Sequence, residues 1–372
     1  VSTVDPEAPR LKVLLLSTGF REYMICLANA LSARAEVTLA AADRLMTPRH
    51  RSLLVPAVNY RPFTYVDYRS ARRNARMLLD LLRAIRREQP DILHIQSNGF
   101  RLFWLLYPFL RRYAIVNTVH DPAPHSGDEA SPRLPRAERA AARNCRAFFV
   151  HGAVLRGELR DQYSVPESRI HVVPHGEFSI YQNWRVRSVT PHPADFLFFG
   201  RIWPYKGLDV FIRAANEVAR ALPSARFTIA GAGEDFARYQ ALIEDPSRFD
   251  VRNFRIEEEI LDEVFQRCRA VVLPYTDATQ SGVIPIAYAY GKPVIATRVG
   301  ALPEVVVEGK TGYLVEPRDP GAIATRMLDM ASDETAYADM CAAALRFARE
   351  ELDWGLVAAK SVEVYRQVLG LR

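Results

Sequence analysis

Short apolar runs of strand length alternate with stretches of helical period through both halves of the chain, and this alternation leaves few architectures open. Leu11 to Leu16, Asp91 to Gln96, Ile115 to Val119, Ala147 to His151, Asp195 to Phe199, Arg226 to Gly231, Arg269 to Tyr275 and Val294 to Thr297 read as strands buried on both faces, as in parallel sheets. Shorter or weaker strands are predicted at Glu36 to Ala40, His171 to Pro174, Val251 to Arg255 and Thr311 to Val315. Strand and helix repeated in this way predict an α/β fold with two doubly wound parallel sheets facing across a cleft. The 372 residues exceed one typical core, which fits two domains.

The most informative stretch lies near the middle. After the strand ending at Phe199, the chain turns at Gly200 and enters a helix near Gly207, passing Arg201 and Lys206 on the way. A strand, a basic turn and a helix start make a place for an anion, because the free N–H groups of a helix start favour negative charge. Arg201 can grip a phosphate through two parallel bonds, and Lys206 adds a compact charge, so the pair suits a diphosphate. The plainer reading, two cations capping a loop, stands beside it.

Composition is that of an ordinary globular protein. No run approaches the roughly 20 apolar residues of a membrane span, and the longest candidate, Leu102 to Leu110, contains Pro108. Cys26, Cys145, Cys268 and Cys341 lack metal-ligand or CxxC spacing, which fits a reducing cytoplasm and no disulfide. The first ten residues lack the apolar core of a signal peptide and read as a disordered start. Charge is split: residues 1–190 carry 28 Lys+Arg against 17 Asp+Glu, and the remainder 21 against 26. The basic half is where a polyanion or an anionic membrane surface would be met, or the arginines reflect genome composition.

The first half opens as a βαβ unit with Gly19 at the first strand exit, without a G-x-G-x-x-G fingerprint. Residues 68–88 predict an amphipathic helix with Ala75, Leu78, Leu81, Leu82 and Ile85 inward and Arg69, Arg72, Arg76, Arg83, Arg86 and Arg87 outward. Phe100 to Tyr113 interleaves Phe103, Trp104, Tyr107 and Phe109 with Arg101, Arg111 and Arg112, as interfacial segments do and as core segments also do. His120 and Asp121 leave a buried strand into a Pro/Gly loop running to Asp128, where α/β enzymes keep functional groups. His94, His120, His125, His151, His171 and His175 form no HExxH motif, and the one i,i+4 pair, His171 and His175, falls in a predicted strand ending in a proline, so no metal site is predicted.

Residues 182–194, with Arg185, Arg187, Pro191 and Pro193, break the periodicity and read as an interdomain linker. The predicted division is residues 1–188, residues 189–350, and a final segment 351–372 whose Trp354, Val357, Ser361, Val364 and Tyr365 keep helical spacing. Thr276 to Val283, rich in small and hydroxyl groups, opens the helix from Ile284.

Several blocks resemble retaining nucleotide-sugar glycosyltransferases of family 4, which have the GT-B fold. They are Gly200-Arg201 with Lys206-Gly207, Thr228 to Gly231 with Gly233-Glu234, Gly291 to Thr297, Gly300 to Val305 and Thr311 to Val315. In the first half the resemblance rests on Val119-His120-Asp121 and on Val172 to Gly176, which is similar to the family's V-P-N-G ending. It implies two Rossmann-like domains, the second holding a UDP-, GDP- or dTDP-sugar and the first an acceptor, with the last helix returning to the first domain. By position, Arg201 and Lys206 would bind the donor diphosphate and His120 would lie near the transferred sugar. Gly19, Gly200, the backbone at Arg255 and Ile256, and the turn of Thr279, Gln280, Ser281, Gly282 and Val283 would meet the donor. Asp121 and His175 fall on the acceptor side.

One departure stands out: the family's Glu-x7-Glu falls on Ala278 and Ile286. Asp277, Thr279, Gln280 and Ser281 are the nearest polar groups. No Asp-x-Asp occurs, so a bridging divalent metal is not required and no cofactor is expected. The reading that follows is a metal-independent hexosyltransferase acting with retention on a lipid-linked or saccharide acceptor, in surface polysaccharide assembly. It would be cytoplasmic, resting on the inner membrane face, with no nucleic-acid partner. An epimerase or phosphorylase on the same fold and a non-catalytic donor-binding scaffold are the rivals.

Overall fold

The computed structural model describes residues 10–64, 70–96, 102–121, 134–233 and 236–371. The first nine residues, Arg69, Phe100, Arg101, Pro122 to Asp128 and Glu234 lie outside them.

The first unit strings together β1 (Lys12–Ser17), α1 (Arg21–Ser32), β2 (Glu36–Ala42), α2 (Pro48–Ser52), β3 (Val58–Phe63), α3 (Ala71–Glu88), β4 (Ile92–Gln96) and β5 (Ala114–Thr118). It continues with α4 (Leu134–Asn144), β6 (Ala147–Val150), α5 (Ala153–Tyr163) and β7 (Ile170–Val172). Its seven parallel strands lie in the order β3-β2-β1-β4-β5-β6-β7.

The second unit follows with β8 (Asp195–Phe199), α6 (Leu208–Ala221), β9 (Arg226–Ala230), α7 (Ala237–Gln240), β10 (Phe249–Arg252), α8 (Glu258–Arg267) and β11 (Ala270–Leu273). Then come α9 (Val283–Ala289), β12 (Val294–Thr297), α10 (Leu302–Val305), β13 (Gly312–Val315), α11 (Pro320–Ser332), α12 (Glu334–Glu350) and α13 (Trp354–Leu369). Six parallel strands run β10-β9-β8-β11-β12-β13. Both orders reverse beside the first strand of their unit, and at such a switch point the strand exits splay apart and leave a crevice for a ligand.

Strands β4, β5, β6, β11 and β12 are buried along their whole length, as the continuous apolar runs require when helices cover both faces. β3 was not predicted. It is an edge strand, half exposed and interrupted by Pro62, so it carries no apolar run.

Two expectations for the basic segment need correction. In α3 the inward residues are Asn74, Met77, Leu81, Leu82 and Ile85, while Ala75 is exposed. The helix is rotated by about one residue from the predicted face because it packs against the segment 103–109, which periodicity alone does not register. That segment divides: Phe103 and Tyr107 are buried, while Trp104, Leu105 and Phe109 stand exposed.

The two units meet at several polar contacts. Glu304 accepts from the backbone N–H groups of Ala153 and Val154 at 2.7 and 3.0 Å, capping α5 from across the cleft. Arg49 donates to Glu259 at 2.7 Å, and Arg21 bonds Glu258. The last helix, α13, packs on α1 of the first unit. Trp354 donates its Nε1–H to Glu177 O at 2.7 Å, and the Tyr365 hydroxyl meets His94 Nδ1 at 2.6 Å.

Candidate active site

The basic turn is shaped by backbone contacts that only glycine permits. A Cβ on Gly231 would fall 1.8 Å from Gly200 O, and one on Gly207 would fall 2.0 Å from Pro274 O. Gly207 also has φ 68, so the turn folds tightly against the exit of β11 before α6 begins. As a result the Lys206 ammonium lies 3.7 Å from the centre of the Tyr275 ring and 5.0 Å from that of Tyr205. Arg201 Nη2 donates to the Tyr205 hydroxyl at 3.2 Å. Both cations therefore converge on one aromatic floor.

Desolvation pushes Lys206 down to about 8; Tyr205 and Asp121 pull it back up, and Arg201 lowers it further. Asp121, at the exit of β5, thus lies within electrostatic reach of Lys206 from the opposite unit. It also accepts a hydrogen bond from the Thr279 hydroxyl. That bond ties the turn of Thr279, Gln280, Ser281, Gly282 and Val283 to the first unit, while within the second Ser281 Oγ lies 3.3 Å from the Tyr275 hydroxyl and accepts from Val283 N at 3.3 Å. Gly200 and Val283 face each other, with a Cβ on Gly200 falling 4.0 Å from Val283 Cγ2. Arg255 is exposed and Ile256 half-buried, both beyond the end of β10. Nothing described lies within 4 Å of a Cβ placed on Gly19, so that strand exit is open to a close approach.

His120 is buried beneath the ring of Phe20, stacked at 4.0 Å and 22°. Its Nε2 meets Gln96 Oε1 at 2.8 Å, which makes Nε2 the protonated nitrogen and leaves Nδ1 a lone-pair acceptor without a partner among the described residues. His151 is fixed the same way, Nδ1 donating to Val173 O at 2.9 Å and Nε2 without a partner among the described residues. Burial holds His120 well below the ordinary imidazole range, with His151 and His175 adding to the effect, and holds His151 at about 4 and His175 at about 3. All three are neutral at pH 7, so none is a strong base.

His120, His151 and His175 each offer a ring nitrogen within 4.8 Å of the others, a neutral set with the chemistry of a metal site as well as of a hydroxyl-binding pocket. Sequence spacing could not reveal this cluster, because its members leave three different strands that only the sheet aligns. Phe20, Tyr205 and Tyr275 also belong to the site, and no local spacing distinguishes them from other aromatics. Ala278 and Ile286, where the two acids were sought, are buried apolar positions.

A basic turn of exposed Arg201 and half-buried Lys206 at the switch point of one Rossmann-like sheet, facing a histidine-lined strand exit of another, is the arrangement of a GT-B glycosyltransferase. Residues 18–176 match the model described as Glycosyltransferase Family 4, and residues 193–333 that described as Glycosyl transferases group 1. The chain therefore carries a glycosyltransferase family 4 domain followed by a group 1 glycosyltransferase domain. A D-inositol 3-phosphate glycosyltransferase of Paenarthrobacter aurescens (strain TC1) is 29% identical over 276 residues, 68% of this chain and 67% of that protein. One from Streptomyces avermitilis is 34% identical over 180 residues, 45% of this chain, a match that spans only 39% of the relative. Among solved structures, Anabaena Alr3699/HepE in complex with UDP-glucose superposes with a TM-score of 0.73 at 17% identity, covering 96% of this chain and 100% of that one.

Proposed function

We propose that the protein transfers a hexose from a nucleotide-diphosphate sugar to a lipid-linked or saccharide acceptor, with retention and without a divalent metal. The observation that carries this reading is the convergence of Arg201 and Lys206 on Tyr205 and Tyr275 at the cleft, opposite Asp121. Cleaving the donor leaves charge on a nucleoside diphosphate, and Lys206, held against two tyrosine rings, together with neighbouring Arg201 stabilises that growing charge. The related structure crystallised with UDP-glucose supports a UDP-sugar as donor.

On this reading residues 189–350 hold the donor, residues 1–188 the acceptor, and 351–372 tie the two together. Neutral His120 positions a sugar hydroxyl through its free Nδ1 and does not serve as base; Phe20 must swing off it when the sugar enters. Asp121 and His175 line the acceptor side. The acceptor hydroxyl attacks from the face of the leaving diphosphate, whose oxygen takes the proton. A screen of UDP-, GDP- and dTDP-sugars by thermal shift, followed by turnover with the stabilising donor, tests the assignment, because a ligand of the native state raises its melting temperature. Stabilisation by none of them contradicts it.

The first unit is the proposed membrane face. Arg72, Arg73, Arg76, Arg83, Arg86 and Arg87 are exposed on α3, and Trp104 and Phe109 stand exposed on the neighbouring segment. No helix among the described residues is long and apolar enough to cross a membrane. Sedimentation with anionic vesicles, lost at high salt, would support peripheral binding at an inner membrane face in polysaccharide assembly; equal pelleting with neutral vesicles would oppose it.

A further inference from the structure

Next to the basic turn lies a cavity of about 240 Å³, with apolar walls from Tyr181, Phe199, Ile256, Leu261 and Ile286. Glu22 and Glu258 also line it, one from each unit, and Arg21 is wedged between them. Arg21 Nε donates to Glu22 Oε1 at 2.7 Å, and its Nη2 donates to Glu258 Oε1. His50 Nε2 lies 3.8 and 3.6 Å from the same two oxygens. Burial, with Arg21 adding to it, holds His50 below 6.5, so it is neutral at pH 7 and brings no second cation. Glu22, His50 and Glu258 have the spacing of a cation site, but the guanidinium already fills it.

Two carboxylates therefore share one positive charge. Arg21 engages Glu258 through Oε1, and the Glu258 side chain is 14% exposed at the cavity wall. A solvent-reached carboxylate on the wall of an apolar cavity favours a ligand that brings O–H or N–H groups.

We infer that Glu258 is the group that accepts the vicinal ribose hydroxyls of the donor nucleotide, which makes it a specificity-determining residue. The inference rests on the diphosphate occupying Arg201 and Lys206. The cavity begins at Phe199, two residues before Arg201, so a nucleoside joined to that diphosphate falls into it. The α9 helix presents Ile286 to this cavity, a side chain with no acceptor, whereas α8 presents a carboxylate at its first turn. Arg21 engages Oε1, which leaves Oε2 for a ligand in the cavity. A ribose diol satisfies it with up to two O–H donors, and a deoxyribose satisfies it less.

Calorimetric titration of UDP and of 2′,3′-dideoxy-UDP, with GDP and its dideoxy analogue in parallel, tests this on the intact chain, Glu258→Gln and Arg21→Gln. The intact chain should prefer the ribonucleotide by roughly 10- to 100-fold, the scale of a hydrogen bond to a charged group. In Glu258→Gln the ratio should fall below about threefold while the affinity for the dideoxy form stays within about twofold. Arg21→Gln removes the ion pair but keeps the carboxylate, so both affinities fall together and the ratio survives. A purely structural role for Glu258 would weaken both nucleotides equally and leave the ratio intact, which overturns the inference, as does an intact chain that binds without preference. Failure of the intact chain to bind any of the four overturns the donor reading itself.

Discussion

The Lys206 ammonium sits 3.7 Å from the centre of the Tyr275 ring, where the exits of β8 and β11 meet. A cation–π contact does not replace lost water, and desolvation leaves this lysine at about 8 against 10.5 for the free side chain. The unfolded chain holds the proton more tightly. The penalty on the folded state is therefore complete below pH 8 and fades as pH rises toward 10.5. Lys206→Met is expected to raise the melting temperature of the free protein at pH 7 and to abolish the further rise caused by UDP. Melting curves with and without UDP check both.

The histidine cluster makes stability fall in acid. His94 and His175 are held at about 3 and His151 at about 4 by burial, against 6.5 when free, and His120 moves the same way. The unfolded chain takes up protons first as pH drops through 6.5, so melting temperature should decline steadily from there to about pH 4. Phe20→Ala opens His120 to water and should shift its titration toward 6.5, followed by the imidazole proton resonances. An unmoved curve would mean that Phe20 does not seal the ring.

Glu304 closes the cleft by capping α5 from the other unit. Glu304→Ala should cost roughly 1 kcal/mol, as loss of a cap does, and should enlarge the radius of gyration of the free protein in solution scattering. Unchanged scattering would show that other contacts hold the units together.

The α13 helix is locked by Trp354, which bonds Glu177 O and packs so closely on Gly176 that a Cβ there would fall 2.4 Å from the indole. Gly176 also has φ 84, so Gly176→Ala strains both backbone and contact. Trp354→Ala should cost about 3–5 kcal/mol and expose the terminal helix to limited proteolysis. Protection equal to that of the unaltered chain would contradict the lock.

The alternation of buried strands and helices was legible because a parallel sheet covered on both faces needs continuous apolar runs, and Phe196 to Phe199 or Val294 to Thr297 are little else. The Arg201–Lys206 turn was legible for the same reason: strand, glycine and helix start occur together in sequence. The rest of the site was not. His120, His151 and His175 are brought together by the aligned carboxyl ends of β5, β6 and β7, which no local spacing encodes. The pairing of Glu258 with Arg21 joins residues 237 apart. Asn74 faces inward in place of Ala75 because tertiary packing sets the rotation of α3.

The account stands on Arg201 and Lys206 holding a nucleoside diphosphate. Calorimetric titration of UDP, with GDP and dTDP in parallel, into the intact chain and Arg201→Ala measures this directly. The prediction is a loss of affinity of about 10²–10³, matched by a similar loss in turnover, with the melting temperature of the free protein little changed. Arg201→Ala binding the preferred nucleotide within about threefold of the intact chain, or turning over at its rate, would contradict it.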